Sequence, residues 1–249
     1  MAEITFLGTC CAWPMPRLGC RCEICKSDDE RDRRLRSSLL LQHEGKNLLV
    51  DISPDFHWQA MKHKITSIDK IFITHAHQDH IGGLDALNEI FILNRKPIEL
   101  YTTKKIYRLI KKQFPWMFQK KIKFKEMKKM DIDGLEVDFV PVKHSTETIG
   151  FIFKLDGKKF VYIPDCCGVE KDKIMNPDVL AIESTKGFDH RQSHGHWPVQ
   201  KSIQLAGDIN ARTTYLTHVG HYLKHKDLKR KVEKMGKFSV AYDGMELEI

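Results

Sequence analysis

Four apolar runs in this chain stop at a histidine or an aspartate, and that punctuation constrains the fold more than any other feature. Ile71-Phe72-Ile73-Thr74 leads into His75, Val137 to Val142 leads towards His144, Phe160 to Pro164 into Asp165, and Tyr215-Leu216-Thr217 into His218. Each run reads as a strand. Side by side, such strands carry their terminal side chains to one edge, where α/β folds bind ligands.

The surrounding sequence alternates short apolar runs with a few helical ones. Strands are expected at Glu3–Leu7, Ser38–Gln42, Asn47–Asp51, Lys70–Thr74, Ile98–Tyr101 and Lys121–Lys125. Six more are expected at Leu135–Val142, Gly150–Leu155, Lys158–Ile163, Val179–Glu183, Thr213–Thr217 and Phe238–Ala241. Helices are expected at Phe56–His63, His80–Leu93, Lys104–Lys112, Val199–Ile209 and His225–Met235. Early hairpins followed by strand–helix units fit an α/β sandwich better than a uniformly parallel sheet. Nothing repeats and no linker interrupts the 249 residues, so one domain over 1–249 is expected.

The apolar share of 41% and charged share of 30% exclude a disordered chain. No apolar run approaches the roughly 20 residues of a membrane helix. The opening MAEITFLGTC lacks a signal-like core, so a soluble, cytoplasmic protein without a membrane partner is expected. The cysteines, three of them in GCRCEIC, then suggest metal ligation rather than disulfides. A net charge of +8 favours anionic partners. Much of the excess lies between Lys104 and Lys129, which reads as a solvated helix followed by an amphipathic strand, with a nucleic-acid surface as the competing reading.

THAHQDH, residues 74 to 80, carries the chemistry. His75 and His77 point to the same side of an extended segment, and Asp79 and His80 follow at once. Imidazole with carboxylate suits zinc, manganese or iron. Four donors so close in sequence do not readily converge on one ion, but they can serve two neighbouring ions. Cys20-x-Cys22-x-x-Cys25 offers three soft ligands, one short of a tetrahedral structural zinc.

H-x-H-x-D-H after a strand resembles the metallo-β-lactamase superfamily, over essentially the whole chain. The resemblance implies an α/β fold, the four-layered αβ/βα sandwich. It implies His75, His77 and His144 as ligands of one divalent ion, zinc or manganese. Asp79, His80 and His218 would hold a second, and Asp165 would bridge the two. The segment GTCCAWPMPRLGCRCEIC is similar to the amino terminus of the PhnP-like branch, that of the phosphonate-pathway cyclic phosphodiesterase. There the cysteine cluster is completed by a histidine three residues past the last active-site histidine. LTHVGH supplies such a pair, so the resemblance implies one structural zinc on Cys20, Cys22, Cys25 and His221. The chain departs from the branch in reading GTCCAW where a glycine turn is usual, and Cys10 and Cys11 carry no assigned role.

In SHGHWP the branch carries a histidine that acts on substrate, and His196 aligns with it better than His194. It would hydrogen-bond a phosphoryl oxygen or protonate the departing alkoxide, while Asp79 would also orient the nucleophile. The RDRRLR run at 31 to 36 reads as phosphate steering or surface salt bridging. His43, His57, His63, His190 and His225 read as surface or partly buried residues. Two ions about 3.5 to 4 Å apart bring a shared water to a near-neutral pKa. The implied reaction is therefore hydrolysis of a small or cyclic phosphodiester by a metal-bridging hydroxide. A tRNA 3′-processing ribonuclease, with RNA as partner, is the second reading, although its long glycine-rich arm has no counterpart here. A non-hydrolytic relative of the pyrroloquinoline quinone biosynthesis protein B is the third. A homodimer is compatible with all three.

Overall fold

The structure, a computed structural model, describes residues 1–188 and 195–249. The first sheet opens with β1 (Glu3–Gly8), β2 (Ser38–His43) and β3 (Lys46–Val50), paired antiparallel. It continues in parallel through β4 (Lys70–Phe72), β5 (Ile98–Thr102) and β6 (Ile122–Glu126). Helices α1 (Phe56–Lys62), α2 (Gln78–Ile81), α3 (Leu87–Asn94) and α4 (Lys104–Gln113) connect the parallel strands. The second sheet repeats the scheme. There β7 (Met130–Ile132), β8 (Leu135–Lys143), β9 (Thr148–Leu155) and β10 (Lys158–Ile163) are antiparallel. The short β11 (Gly168–Val169) pairs back with β8. Then β12 (Val179–Ser184), β13 (Thr213–Val219) and β14 (Phe238–Val240) are parallel, joined by α5 (Val199–Asp208) and α6 (His225–Glu233). The chain closes with β15 (Glu246–Glu248) against β1. The shared topology has no echo in the sequence, which shows no repeat.

Alternation along the strands separates two apolar layers. Phe151 and Phe153 of β9, Phe160 and Tyr162 of β10 and Ala181 of β12 join one core with Phe6, Leu39, Leu41 and Phe72. Ile152, Val161, Ile163, Leu180 and Ile182 join a second with Val199, Leu205 and Ala206 of α5 and Leu228 and Val232 of α6. Aromatic rings bridge the sheets directly, with Phe72 5.5 Å from Phe151 and Phe6 6.5 Å from Tyr215. Phe56 of α1, Ile90 of α3, and Ile106 and Ile110 of α4 enter the first core. The result is two sheets face to face with helices outside, the expected αβ/βα sandwich. No helix among the described residues is long and apolar enough to cross a membrane.

The long helix expected over His80–Leu93 is broken. α2 stops at Ile81, a 3-10 turn follows at Leu84–Ala86, and α3 begins at Leu87. Gly82 and Gly83 explain the break, because a Cβ on Gly83 would lie 2.1 Å from the Ser53 carbonyl oxygen and one on Gly82 2.7 Å from Pro54. Close packing here overrides helical periodicity. The stretch from Lys104 to Lys129 is indeed a helix and then a strand, and many of its lysines are already paired. Lys104 meets Glu126, Lys105 Glu147, Lys125 Glu99, and Lys129 Glu136.

The arginine run is engaged in ion pairs and buried bonds, with Arg31 on Asp29 and Arg33 on Glu30 at the surface, as the salt-bridging reading expects. Arg34 is 1% exposed, and its guanidinium donates to Thr9 Oγ1, the Ala241 carbonyl and His225 Nδ1. Arg36 is held by Asp55 at 2.8 Å. His225 and His43 are buried core residues rather than surface ones.

Candidate metal centre

Strand ends deliver the candidate donors. β4 runs out through Thr74 into His75, with His77 capping α2 and Asp79 and His80 in its turn. β8 and β10 end just before His144 and Asp165, and β13 brings in His218, whose φ of 51° is left-handed. Backbone in that region is strained for a histidine and is tolerated where the surroundings impose it.

The donors form two groups. In one, His77 Nδ1 lies 3.0 Å from His75 Nε2 and 3.3 Å from His144 Nε2. In the other, Asp79 Oδ2 lies 3.3 Å from His80 Nε2 and 3.5 Å from His218 Nε2. Asp165 reaches both. Its Oδ2 is 3.0 Å from His80 Nε2 and 3.3 Å from His218 Nε2, while Oδ1 is 3.9 Å from His144 Nε2. All seven residues named from the sequence thus meet at one edge.

Outer hydrogen bonds fix which ring nitrogen faces inward. His80 Nδ1 donates to Asp51 Oδ2 at 2.7 Å and His144 Nδ1 to the Gly195 carbonyl at 2.9 Å. Thr74 spends its hydroxyl proton on Asp51, so it accepts from His75 Nδ1 at 3.0 Å. Thr185 spends its own on the His218 carbonyl and accepts from His218 Nδ1 at 2.7 Å. Four Nε2 lone pairs are therefore aimed at the centre. His75 and His144 both point theirs at Nδ1 of His77, which has one proton to give at most. His80 Nε2, His218 Nε2 and Asp165 Oδ2 are buried with no well-formed hydrogen bond among the described residues. Converging buried acceptors without donors are costly and call for cations, so the residues fit a pair of divalent ions.

Charge distribution agrees. Burial opposes ionisation of Asp165, yet His218 and His80 hold its carboxyl well below the usual range. Burial lowers His218, but Asp165 and Asp79 carry it up to about 9. His80 is raised in the same way, against its burial, by Asp165, Asp79 and Asp51. Burial and the charge of His80 depress His75, and burial depresses His77 and His144. With no cation in the centre, His80 and His218 would take a second proton on Nε2 towards Asp165 and Asp79, and bound ions would replace that positive charge.

His196 stands at the rim of this centre. Its Nδ1 is 3.0 Å from Glu183 Oε2 and 3.6 Å from Asp165 Oδ1. It also groups with His144 and Asp165 closely enough to share an ion. Glu183 is fully buried and accepts from the backbone N–H of Cys166 and Trp197 as well. Gly195 beside it has a φ of 79° and abuts the His144 ring, so the loop requires glycine there. His190 and His194 lie outside the described residues.

Asp51 and Glu183 are the functional residues that the sequence reading missed. Asp51 obeys its rule, since LLVD ends just past β3, whereas Glu183 in LAIES, within the last residues of β12, is a glutamate and falls outside it. Neither has a neighbouring histidine to draw attention to it.

A second donor group lies apart from the cleft. Sγ of Cys22 and of Cys25 lie 3.1 and 3.2 Å from His221 Nε2, and Cys20 completes the group. Three thiols and one imidazole form the donor set of a structural zinc. Cys10 and Cys11 are buried at the end of β1, where Cys10 Sγ donates to the Trp13 carbonyl. The Cys11 thiol is drawn down to about 5 by its bond with Cys10, against its burial and with help from His218. Burial pushes the Cys166 and Cys167 thiols up.

Comparisons with known proteins agree with this geometry. A family profile described as "Beta-lactamase superfamily domain" matches residues 46–219. A solved diphosphatase from the PhnP family superposes with a TM-score of 0.90 at 30% identity, covering 100% of this chain and 98% of that one. Zinc-bound PqqB from Methylobacterium extorquens superposes with a TM-score of 0.85 at 22% identity, covering 99% of this chain and 100% of that one. An octanoyltransferase of Porphyromonas gingivalis is 28% identical over 228 residues, 87% of this chain but 45% of that protein, so the chain spans about half of that relative's length. That PqqB structure is zinc-bound, and in this chain two donor sets that suit divalent metals are present. The chain, with its Cys3His donor group, resembles a PhnP-family diphosphatase closely and belongs to the beta-lactamase superfamily.

Proposed function

We propose that this chain is a metal-dependent hydrolase of small phosphodiesters or diphosphates, holding two divalent ions in the cleft and a structural zinc at Cys20, Cys22, Cys25 and His221. The observation that carries the reading is that buried Nε2 of His80 and of His218 lie 3.0 and 3.3 Å from buried Asp165 Oδ2, with none of the three atoms in a well-formed hydrogen bond among the described residues. His75, His77 and His144 would hold one ion, Asp79, His80 and His218 the other, and Asp165 both. Such a pair supplies an activated water and neutralises phosphoryl charge.

The chain's own residues set up the rest. Asp79, on the rim of the second group, can accept a hydrogen bond from the attacking water and orient it. Glu183 occupies Nδ1 of His196, so His196 meets the substrate through Nε2. Burial and the charge of Asp165 push the Glu183 carboxyl up, so Glu183 can hold the proton shared with Nδ1. The proton of the neutral ring then sits on Nε2, from where it can pass to a phosphoryl oxygen or the departing oxygen. Water contributes its oxygen to phosphorus and a proton to the leaving group. The PhnP-family likeness supports phosphoryl chemistry, and the paired lysines of 104–129 support a compact substrate over RNA.

The test is a substrate panel presented to metal-replete protein, comprising cyclic and linear phosphodiesters, diphosphates, an octanoyl thioester and a tRNA precursor. Turnover is expected on the phosphodiesters or diphosphates. Preference for the thioester, cleavage of the precursor at its 3′ side, or no turnover at all would defeat the reading.

A further inference from the structure

We propose that the loop leaving β1 forms a subsite for a planar aromatic group carrying a phosphate, which makes the substrate a nucleotide-like diphosphate or diester. The proposal rests on the reading of the cleft as a phosphoryl-transfer centre and adds what lies beside it.

Trp13, Pro14, Arg17, Leu18 and Arg36 line a cavity of about 390 Å³, within the usual size of a small-molecule site. Trp13 is 65% exposed, and Leu18 is fully exposed. A tryptophan laid open at a cavity mouth costs solvation that a bound ring would recover. Arg36 has its charge engaged by Asp55 and its Nε by the Ala12 carbonyl, so it acts as a fixed wall. Arg17 differs. Its guanidinium makes no ion pair or hydrogen bond among the described residues. A guanidinium donor left over in a cavity wall asks for an acceptor, and phosphate oxygens match its fork.

The loop is stapled to the metal centre. Cys11 N–H donates to the Val219 carbonyl, and Val219 N–H donates to the Thr9 carbonyl at 2.7 Å, one residue past His218. On the far side, Arg17 N–H donates to Cys25 Sγ at 3.3 Å, tying the cavity wall to the cysteine cluster. A substrate with its scissile phosphoryl at the centre can therefore extend past Cys11, lay an aromatic ring on Trp13 and present a second phosphate to Arg17. An acyl chain would use Trp13 and Leu18 but leave Arg17 unsatisfied.

The experiment is calorimetric titration of the metal-replete, full-length chain with ADP, AMP, ribose 5-phosphate and octanoate. AMP should bind about tenfold more tightly than ribose 5-phosphate, the effect of one stacked base. Trp13→Ala should remove that margin, and Trp13→Phe should keep most of it. Arg17→Ala should weaken ADP more than AMP, and Trp58→Ala, an exposed tryptophan on α1, should change nothing. ADP affinity untouched by Trp13→Ala, or octanoate competing better than AMP, would overturn the subsite. ADP held through Trp13 with no turnover of any phosphate ester would sink the hydrolase reading alone. Turnover with ADP binding indifferent to Trp13 would sink the subsite alone.

Discussion

Stripping the ions should make the stability of this protein depend on pH in a window set by His218. The imidazole is fully buried, and Asp165 and Asp79 raise it to about 9 against the cost of burial. A free histidine titrates near ~6.5. A group raised in the folded state contributes stability fully below its unfolded pKa and loses it as pH rises through the folded one. At ~1.4 kcal/mol per unit, the span from 6.5 to about 9 corresponds to roughly 3 kcal/mol. His80 moves in the same direction. The depressed histidines His75, His77, His144 and His196 act only below ~6.5, by losing stability on acidification. With ions bound, His218 is a neutral ligand and the effect vanishes. Urea denaturation of chelator-stripped protein between pH 6.5 and 9.5 should therefore show a decline of about 3 kcal/mol beyond that of stripped His218→Ala. The zinc-loaded protein should show no such difference. Parallel profiles for stripped wild type and stripped His218→Ala would refute the reasoning.

Further outcomes concern the residues around the centre. His196→Ala should lower turnover roughly 10²–10⁴-fold on esters with poor leaving groups, and less on nitrophenyl esters, with cleft metal retained. Metal loss would instead make His196 a ligand through its group with His144 and Asp165. Asp51→Asn leaves His80 and Thr74 with a poorer acceptor and should weaken cleft metal affinity about 10- to 100-fold by competition with a chromophoric chelator. If RNA is not the substrate, catalytic efficiency should depend weakly on salt, and charge reversal at Lys111, Lys112, Lys120 and Lys121 should leave that slope unchanged.

The centre was legible because a strand ending on a metal-binding side chain leaves a compact mark, an apolar run and then His or Asp. That mark located His75, His144, Asp165 and His218, which the sheets bring to one edge. Asp51 bears the same mark and Glu183 a glutamate variant of it, but their place in the centre lies in bonds to His80 and His196, partners 29 and 13 residues away in the chain. The strands β7, β11 and β15 hold two or three residues each, too few to show a period. Helix α2 is short because Gly82 and Gly83 pack against Pro54 and Ser53, a tertiary constraint. Arg34 looked solvated among its charged neighbours, and its burial depends on Ala241 and His225, which lie close only once β1 and the closing segment meet.

The most direct test is anomalous diffraction from crystals of this protein grown with zinc. Two peaks about 3.5 to 4 Å apart should lie in the cleft, one among His75, His77 and His144, the other among Asp79, His80 and His218, with Asp165 touching both. A third should lie among Cys20, Cys22, Cys25 and His221, and should vanish in Cys22→Ser. A cleft holding a single ion, or none, at saturating zinc would contradict the account.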